Sequence, residues 1–406
     1  MILNLSIIIL IVFIISHVFE KIKIPKLVGI IFLGILIGPY TKEIFINNGV
    51  MIKNGFIANH VFITDYIMEI SSDLKNIALI IILLRAGLSI SKDILKKIGN
   101  NAIKLSVIPG VIEGIFVMIL TFFIFKISLY EAGMLGFILG AVSPAVIVPL
   151  MIELKNRDYG KKNELPTLIL TGASLDDIVA ITIFTVFLNL SIGSDTELYM
   201  QIINIPIKII IGIIIGVVIG KFYCGFFKKL RGIRDTKKMI ILIIIAILLC
   251  ELEKYIPIAI YIAIMIIGFV IKNSYNELAN RLESKLNKVW ILAEIMLFLL
   301  VGASINLNSI NGYLLLGACI IIFGLIGRGI GVLISLYNSN LNREEKLFCI
   351  VSYIPKATVQ AAMCTIPLAM GAKNGEIIIG IAVLSILITA PLGAIGIRFI
   401  SKKYKL

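Results

Sequence analysis

Long apolar runs, separated by short polar loops, make up nearly the whole chain. A run of roughly 20 apolar residues can cross a bilayer as a helix, and only helices and closed barrels satisfy every backbone hydrogen bond in lipid. Only 15% of the residues are charged, whereas soluble domains have about 25%. The sequence therefore predicts an all-α integral membrane protein with about 13 transmembrane helices. The predicted spans are residues 2–19, 27–40, 74–91, 102–125, 130–154, 165–192, 202–227, 238–252, 257–271, 289–305, 312–337, 346–370 and 376–398.

Lysines and arginines are concentrated in alternate loops, namely those that follow the odd-numbered runs. Positively charged loops face the cytoplasm, so we predict a multi-pass protein of the cell membrane with its N-terminus outside and its C-terminus inside. The first run continues without a cleavage signal and is predicted to be a spanning helix. The net charge of +14 arises from these loops and does not indicate nucleic-acid binding.

Two sets of three runs share the same order of features, which indicates an internal repeat. Each set opens with a glycine-rich run that holds one ionisable residue near mid-span, Glu113 or Arg328. A run broken near its middle follows, and a long run closes the set. Because the sets begin on opposite sides of the membrane, the repeat is inverted, and paired interrupted segments of this kind indicate a transporter's ion site. The sets are 102–125, 130–154 and 165–192, and 312–337, 346–370 and 376–398.

Prolines interrupt the middle run of each set. Ser143 and Pro144 break the first, and Pro355 and Lys356 break the second, because the residue before a proline avoids helical geometry. Backbone groups exposed at mid-membrane depth are tolerated only where they line a cavity or meet a charge. We expect the two breaks to cross, with their partially charged half-helix ends facing each other. A third break is predicted at Pro391.

Two adjacent carboxylates, Asp176 and Asp177, lie midway along the apolar run 165–192. A charged side chain at the centre of a spanning helix costs about 2.5–3.5 kcal/mol, so both need compensation from water, a partner charge or a bound cation. A structural ion pair between helices is one interpretation. A cation or proton site is the preferred one.

Three further charges lie deep within predicted spans. Lys356 is about 15 Å from the inner edge of its run, too deep to reach water comfortably, so we predict that it pairs with Asp176 or Asp177. Glu113 and Arg328 are opposite in charge and are predicted to form a structural salt bridge inside the moving unit.

Other residues that could carry chemistry receive no functional role. Arg85 and Glu294 lie near the inner ends of their spans. Arg85 is expected to snorkel or to pair locally, and Glu294 is not expected to be a ligand. His17 and His60 have no partners at metal-ligand spacing, and the five cysteines show no CxxC pattern. The sequence therefore predicts no cofactor and no resident metal.

Four motifs resemble the two-aspartate branch of the monovalent cation/proton antiporter superfamily. They occur in the order expected for that family, and the resemblance extends over nearly the whole chain. The motifs are Leu84–Leu88, Ser143–Pro149, Ala173–Ile178 and Pro355–Ala362.

This resemblance implies a role for each matching residue. Asp177 is expected to be the main ligand for Na⁺ and for the proton, with Asp176 as its partner. Lys356 is expected to pair with Asp176 when no cation is bound. Oxygens near Ser143 and Thr171 are expected to complete the coordination.

The resemblance also implies an inverted-repeat fold with a core that moves against a dimerisation domain, and hence a homodimer. Glu113 and Arg328 match the charge pair in the core of this branch. The implied boundaries are a core at 102–192 and 312–398, dimerisation helices at 2–91 and 238–305, and a linker helix at 202–227.

We therefore predict a secondary antiporter, not an enzyme, that exchanges Na⁺ (or Li⁺) for H⁺ by alternating access. A K⁺/H⁺ exchanger of the same fold and a sodium-coupled organic anion carrier are the alternatives. A channel or sensor is less expected, because few residues follow the last run. The stoichiometry is open: release of a proton by Lys356 gives an electrogenic two-proton cycle, which is preferred, and a fixed Lys356 allows electroneutral exchange.

Overall fold

The computed structural model describes residues 2–22, 24–50, 55, 58, 60–89, 92, 100–156, 159, 165–192, 198–230, 232–252, 259–306 and 312–404. Within these ranges all regular secondary structure is helical. The sequence predicts a bend around Pro257, between the runs 238–252 and 257–271, and this residue lies outside the described ranges. The helices are α1 (Ile2–Lys21), α2 (Lys26–Ile37), α3 (Pro39–Asn47), α4 (Asp65–Glu69), α5 (Ser71–Ser89), α6 (Asn100–Phe125), α7 (Leu129–Leu139), α8 (Pro144–Asn156), α9 (Leu165–Ile192), α10 (Leu198–Lys229), α11 (Asp235–Leu252), α12 (Ile260–Ser274), α13 (Asn276–Ala303), α14 (Leu314–Ser335), α15 (Arg343–Ser352), α16 (Thr358–Met363), α17 (Ile366–Ala369) and α18 (Gly375–Tyr404).

The described helices have the length and composition of a membrane protein. Seven described segments are long and apolar enough to cross a bilayer, and one of them, Leu129–Val148, runs from α7 across a break into α8. The pair α2 and α3, bent by 43°, makes an eighth if it is one span. The predicted all-helical membrane class is therefore confirmed. The number of about 13 spans requires shorter and broken helices to be counted as well, and it stays a prediction.

The last helix is not broken. α18 is continuous over 30 residues and contains Pro391 in its interior, so the predicted third break is wrong. Proline removes one helical hydrogen bond, but membrane helices tolerate this where neighbouring groups compensate. Near this proline α18 passes close to the second break, because a Cβ added to Gly393 would lie 2.6 Å from Cδ of Pro355.

The chain divides into two compact units, of which the first comprises Met1–Asp73, Asn100–Phe184 and Ile295–Leu406. Within this unit α6 packs along both α7 and α14. The approach of α6 to α14 is close, because a Cβ added to Gly331 would lie 2.6 Å from Cα of Pro109. Since α6 and α14 open the two predicted repeats, this contact joins one repeat to the other.

The second unit comprises Leu74–Gly99 and Thr185–Glu294. Here α10 packs along α12, and glycines on α10 allow the two backbones to approach. A Cβ added to Gly212 would lie 2.7 Å from the carbonyl oxygen of Ala259. Small residues at such contacts are typical of helix pairs in membranes.

Two charges without an assigned role also lie in the second unit. Arg85 donates from Nε to Oδ1 of Asn287 at 2.7 Å, and its guanidinium carbon lies 5.1 Å from the centre of the Trp290 ring. Glu294 is buried on α13. Arg85 therefore has the local partners that its position suggested.

Candidate ion site

The two predicted helix breaks are present, and they contact each other. Residues 141–143 are not helical between α7 and α8, and residues 354–357 are not helical between α15 and α16. The backbone N–H of Ser143 donates to the carbonyl oxygen of Pro355 at 2.8 Å. The breaks therefore contact each other directly, and this contact lies between the two predicted repeats.

The side chain of Gln360, at the start of α16, ties the two breaks together. Its Nε2 donates to the carbonyl oxygens of Ile138 at 2.9 Å and Ala141 at 2.8 Å, and its Oε1 accepts from the N–H of Ala357 at 2.7 Å. A helix end leaves carbonyls without intrahelical partners. This buried amide satisfies such carbonyls at the end of α7.

Glu113 on α6 and Arg328 on α14 form the ion pair that the sequence predicts. Nε of Arg328 donates to Oε2 of Glu113, and its NH2 group donates to the carbonyl oxygen of Gly140. Its NH1 group lies 3.4 Å from Oδ2 of Asp176. Arg328 therefore contacts two carboxylates and also the partially negative end of α7, and its single charge is shared between them.

Lys356 does not have the partner that the sequence predicts. Its Nζ donates to Oε2 of Glu113 at 2.6 Å, so the predicted pairing with Asp176 or Asp177 is wrong for this conformation. The physical reason is the approach of α6 to the second break, which brings Glu113 to the ammonium group. The ion-pair partner of Asp176 is Arg328 instead.

Asp176 lies at the first break. Its Oδ2 accepts from the backbone N–H of Val142 at 2.7 Å, so the carboxylate satisfies one of the backbone groups that the break exposes. Its Oδ1 lies against Gly110, where an added Cβ would be 2.7 Å away. This oxygen is buried and has no hydrogen-bond partner among the described residues.

Asp177 and Ser143 each present a further unused oxygen. Oδ1 of Asp177 and Oγ of Ser143 are buried and lack a hydrogen-bond partner in the part of the chain that the structure describes. Thr171 differs, because its hydroxyl donates to the carbonyl oxygen of Thr167 at 2.7 Å. Six residues along a helix correspond to about 120° of rotation, so Thr171 projects from a different side of α9 than Asp177.

The formal charges of the cluster do not cancel. Three carboxylates, Glu113, Asp176 and Asp177, stand against two cations, Arg328 and Lys356, and all five side chains are buried. With every group ionised, one negative charge is left over. A buried charge is costly unless it is paired, so the cluster favours uptake of one monovalent cation or one proton.

Three residues of this region were not singled out from the sequence. Gln360 belongs to one of the motifs that carry the family resemblance, but its side chain is uncharged, so the sequence did not indicate that it needs a buried partner. Thr389 accepts from the N–H of Lys356 through Oγ1 at 2.9 Å. Tyr353 directly precedes the second break and is fully buried. Its position two residues before Pro355 is the sequence feature that could have indicated its place near the site.

Replacing Gln360 by methionine, which has a similar length, is expected to lower thermal stability. The change leaves the carbonyls of Ile138 and Ala141 without this donor, and each unsatisfied buried group costs about 1–3 kcal/mol. Thermal unfolding of the purified protein in detergent measures the effect. Met363→Leu on the same helix is the control, since it conserves volume and should cost less than about 1.5 kcal/mol. Equal melting of the two variants would contradict the role given to Gln360.

Comparison with known proteins identifies relatives along nearly the whole chain. The profile of the family described as "Sodium/hydrogen exchanger, transmembrane" matches residues 7–403. Sodium/hydrogen exchanger 9B2 of Homo sapiens is 28% identical over 398 residues, which cover 94% of this chain and 70% of that protein. The protein of the same name in Bison bison bison is 30% identical over 370 residues, which cover 87% of this chain and 69% of that protein.

A solved structure also resembles the fold. The sodium proton antiporter MjNhaP1 from Methanocaldococcus jannaschii at pH 8 superimposes with a TM-score of 0.77 at 20% sequence identity, over 99% of this chain and 97% of that one. At this level of identity the match concerns the fold, which the two chains share.

Proposed function

Since the chain belongs to the sodium/hydrogen exchanger family, we propose that it is a secondary antiporter that exchanges Na⁺ (or Li⁺) for H⁺ across a membrane. The observation that carries this proposal is the charge excess of the cluster at the crossed breaks. One uncompensated negative charge is matched equally well by a proton or by a monovalent cation. Since the two compete for the same carboxylates, the binding of one releases the other.

Asp177 is the proposed main ligand, with Asp176 beside it and Ser143 as a source of neutral oxygen. The unused oxygens of these three residues support the proposal, because hard oxygen ligands suit Na⁺ and Li⁺. Thr171 stays a proposed ligand only because of the family resemblance, since its hydroxyl donates a hydrogen bond within its own helix. The transported ions are substrates, and we propose no cofactor.

Alternating access supplies the transport step. We propose that the helices of both repeats, at 102–192 and 312–398, move as a core relative to a dimerisation domain at 2–91 and 238–305, with 202–227 as linker. The contacts of Ser143 with Pro355 and of Gln360 with α7 support a core that moves as one piece. The proposed assembly is a homodimer of about 13 spans per chain, in the cell membrane, with the N-terminus outside.

Proteoliposomes with an imposed pH gradient test the function directly. Adding Na⁺ or Li⁺ should collapse the gradient, whereas empty vesicles should show no response. A response to K⁺ alone would replace the proposal by K⁺/H⁺ exchange. A sodium-coupled organic anion carrier is disfavoured, because Arg328 and Lys356 both face carboxylates rather than an open site.

The position of Lys356 bears on stoichiometry. Because its partner is Glu113, a cation bound at Asp176 and Asp177 leaves the ammonium paired, which favours retention of its proton. We therefore expect electroneutral exchange of one proton per Na⁺, in contrast to the electrogenic cycle preferred from the sequence. An imposed membrane potential without ion gradients should then move no Na⁺. Potential-driven Na⁺ flux in the same vesicles would restore the two-proton cycle.

A further inference from the structure

The phenol of Tyr353 carries a buried hydroxyl that the function described so far does not use. Tyr353 follows the last residue of α15, beside the second break, and its side chain is fully buried. Its hydroxyl has no hydrogen-bond partner among the described residues. A buried polar group without a partner is destabilising and uncommon in folded proteins. Phenylalanine would fill the same space without this penalty, so the oxygen requires an explanation.

The hydroxyl lies against the helix that carries the two aspartates. A Cβ added to Gly172 would overlap the Tyr353 oxygen, so the absence of a side chain at position 172 makes room for it. Gly172 precedes Asp176 by four residues and therefore lies on the same face of α9. Helical side chains lean towards the N-terminus of their helix, so the Asp176 carboxylate leans towards this turn. Tyr353 and Asp176 consequently face the same region of the protein interior.

The ring is held in place by the charged cluster. The guanidinium carbon of Arg328 lies 5.8 Å from the centre of the Tyr353 ring, and Arg328 also contacts Asp176. Asp176 retains an unused acceptor, Oδ1, which is buried as well. A neutral oxygen and a carboxylate oxygen, neither with a hydrogen-bond partner among the described residues, thus belong to one packed group.

We propose that the Tyr353 hydroxyl is an additional ligand on the ion pathway, supplying a neutral oxygen to a partly dehydrated cation that enters from the start of α9. The proposed orientation puts that end of α9 on the cytoplasmic side. Neutral oxygens beside carboxylates are ligands that hard cations accept. The assignment rests on the proposed cation exchange, and it adds a residue that affects how tightly the cation is held.

Tyr353→Phe removes only the oxygen and keeps the ring against Arg328. The apparent KM for Na⁺ in proteoliposomes is expected to rise about 3- to 10-fold, the effect of losing one polar contact, while the maximal rate changes little. The stabilisation of the purified protein by Na⁺ against heat should weaken in parallel, which gives a readout independent of transport. A hydroxyl with a purely structural role would leave both quantities unchanged.

Tyr159→Phe is the matched control. The Tyr159 hydroxyl is also buried without a partner in the described part of the chain, and its ring packs 5.2 Å from that of Phe348. This change should leave KM and the Na⁺-dependent stabilisation as in the parent. Equal effects of the two phenylalanine variants would overturn the assignment of Tyr353.

Gly172→Ala provides a second test of the position of the Tyr353 hydroxyl, independent of the Tyr353→Phe variant alone. Alone, it should displace the hydroxyl and raise KM, whereas in the Tyr353→Phe background it should add little, because the overlapping oxygen is gone. Additive effects would contradict the placement of the hydroxyl against Gly172. If the parent itself exchanges no Na⁺, the proposed function fails. If the parent exchanges Na⁺ and Tyr353→Phe has the same KM, only the role of Tyr353 fails.

Discussion

Asp177→Asn is expected to reduce cation-driven proton movement to the background of empty vesicles while the protein stays folded. The amide has the shape of the carboxylate but cannot release a proton or provide a negative charge. Oδ1 of Asp177 has no hydrogen-bond partner among the described residues, so little structure depends on it. Dequenching of a pH-sensitive dye in proteoliposomes measures the exchange, and thermal unfolding in detergent measures the fold.

Asp176→Asn serves as the comparison, because Asp176 carries structural contacts that Asp177 lacks. Its Oδ2 accepts from Val142 and lies near Arg328, so neutralising it should lower stability as well as exchange. The two variants should therefore both be inactive, with only Asp176→Asn melting at a lower temperature. Near-normal exchange by a well-folded Asp177→Asn protein would remove Asp177 from the site.

Glu113→Gln is expected to produce the largest loss of stability. Glu113 is the common ion-pair partner of Arg328 and Lys356. Neutralising it leaves Arg328 paired with Asp176 and removes the described carboxylate partner of the buried Lys356. Removing one partner of a buried ion pair costs about 3–5 kcal/mol. Thermal unfolding of the purified protein, with expression in the membrane fraction, gives the measurement.

A second buried glutamate provides the control for this prediction. The Glu131 carboxylate accepts hydrogen bonds from the neutral groups of Ser128 and Asn374, so Glu131→Gln should cost much less than Glu113→Gln. Exchanging the charges of Glu113 and Arg328 should not restore stability, because Lys356 would then face an arginine. If the Glu113→Gln protein has the same melting temperature as the parent protein, the ion pairs of Glu113 do not stabilise this cluster.

The sequence is sufficient for features that depend on local composition. Apolar runs predict the membrane helices, and Pro144 and Pro355 predict the two breaks, since the effect of a proline on its predecessor is local. Pro391 shows the limit of that rule, because α18 continues through it. Whether a proline ends a helix or is absorbed depends on neighbours that its own segment does not specify.

The pairing of charges is a different matter, because it depends on contacts between distant segments. Lys356 and Glu113 are 243 residues apart, and depth in the membrane alone does not distinguish Glu113 from Asp176 as its partner. The same holds for Gln360, whose contacts with α7 arise only when the two breaks cross. The residue types predict which buried groups need a partner. Which partner each group has depends on the packing of distant helices such as α6 and α14.

The crossed breaks also have a consequence for how the protein is made. The donor that satisfies Ile138 is Gln360, 222 residues later, and the guanidinium that meets Glu113 is 215 residues later. At about 5–20 residues per second, a ribosome needs roughly 10–45 s to supply that amide. During this interval the first repeat contains a broken helix and buried carboxylates whose partners do not yet exist. The first half of the chain therefore has only water or protons in place of those partners until the second half has been synthesised and inserted.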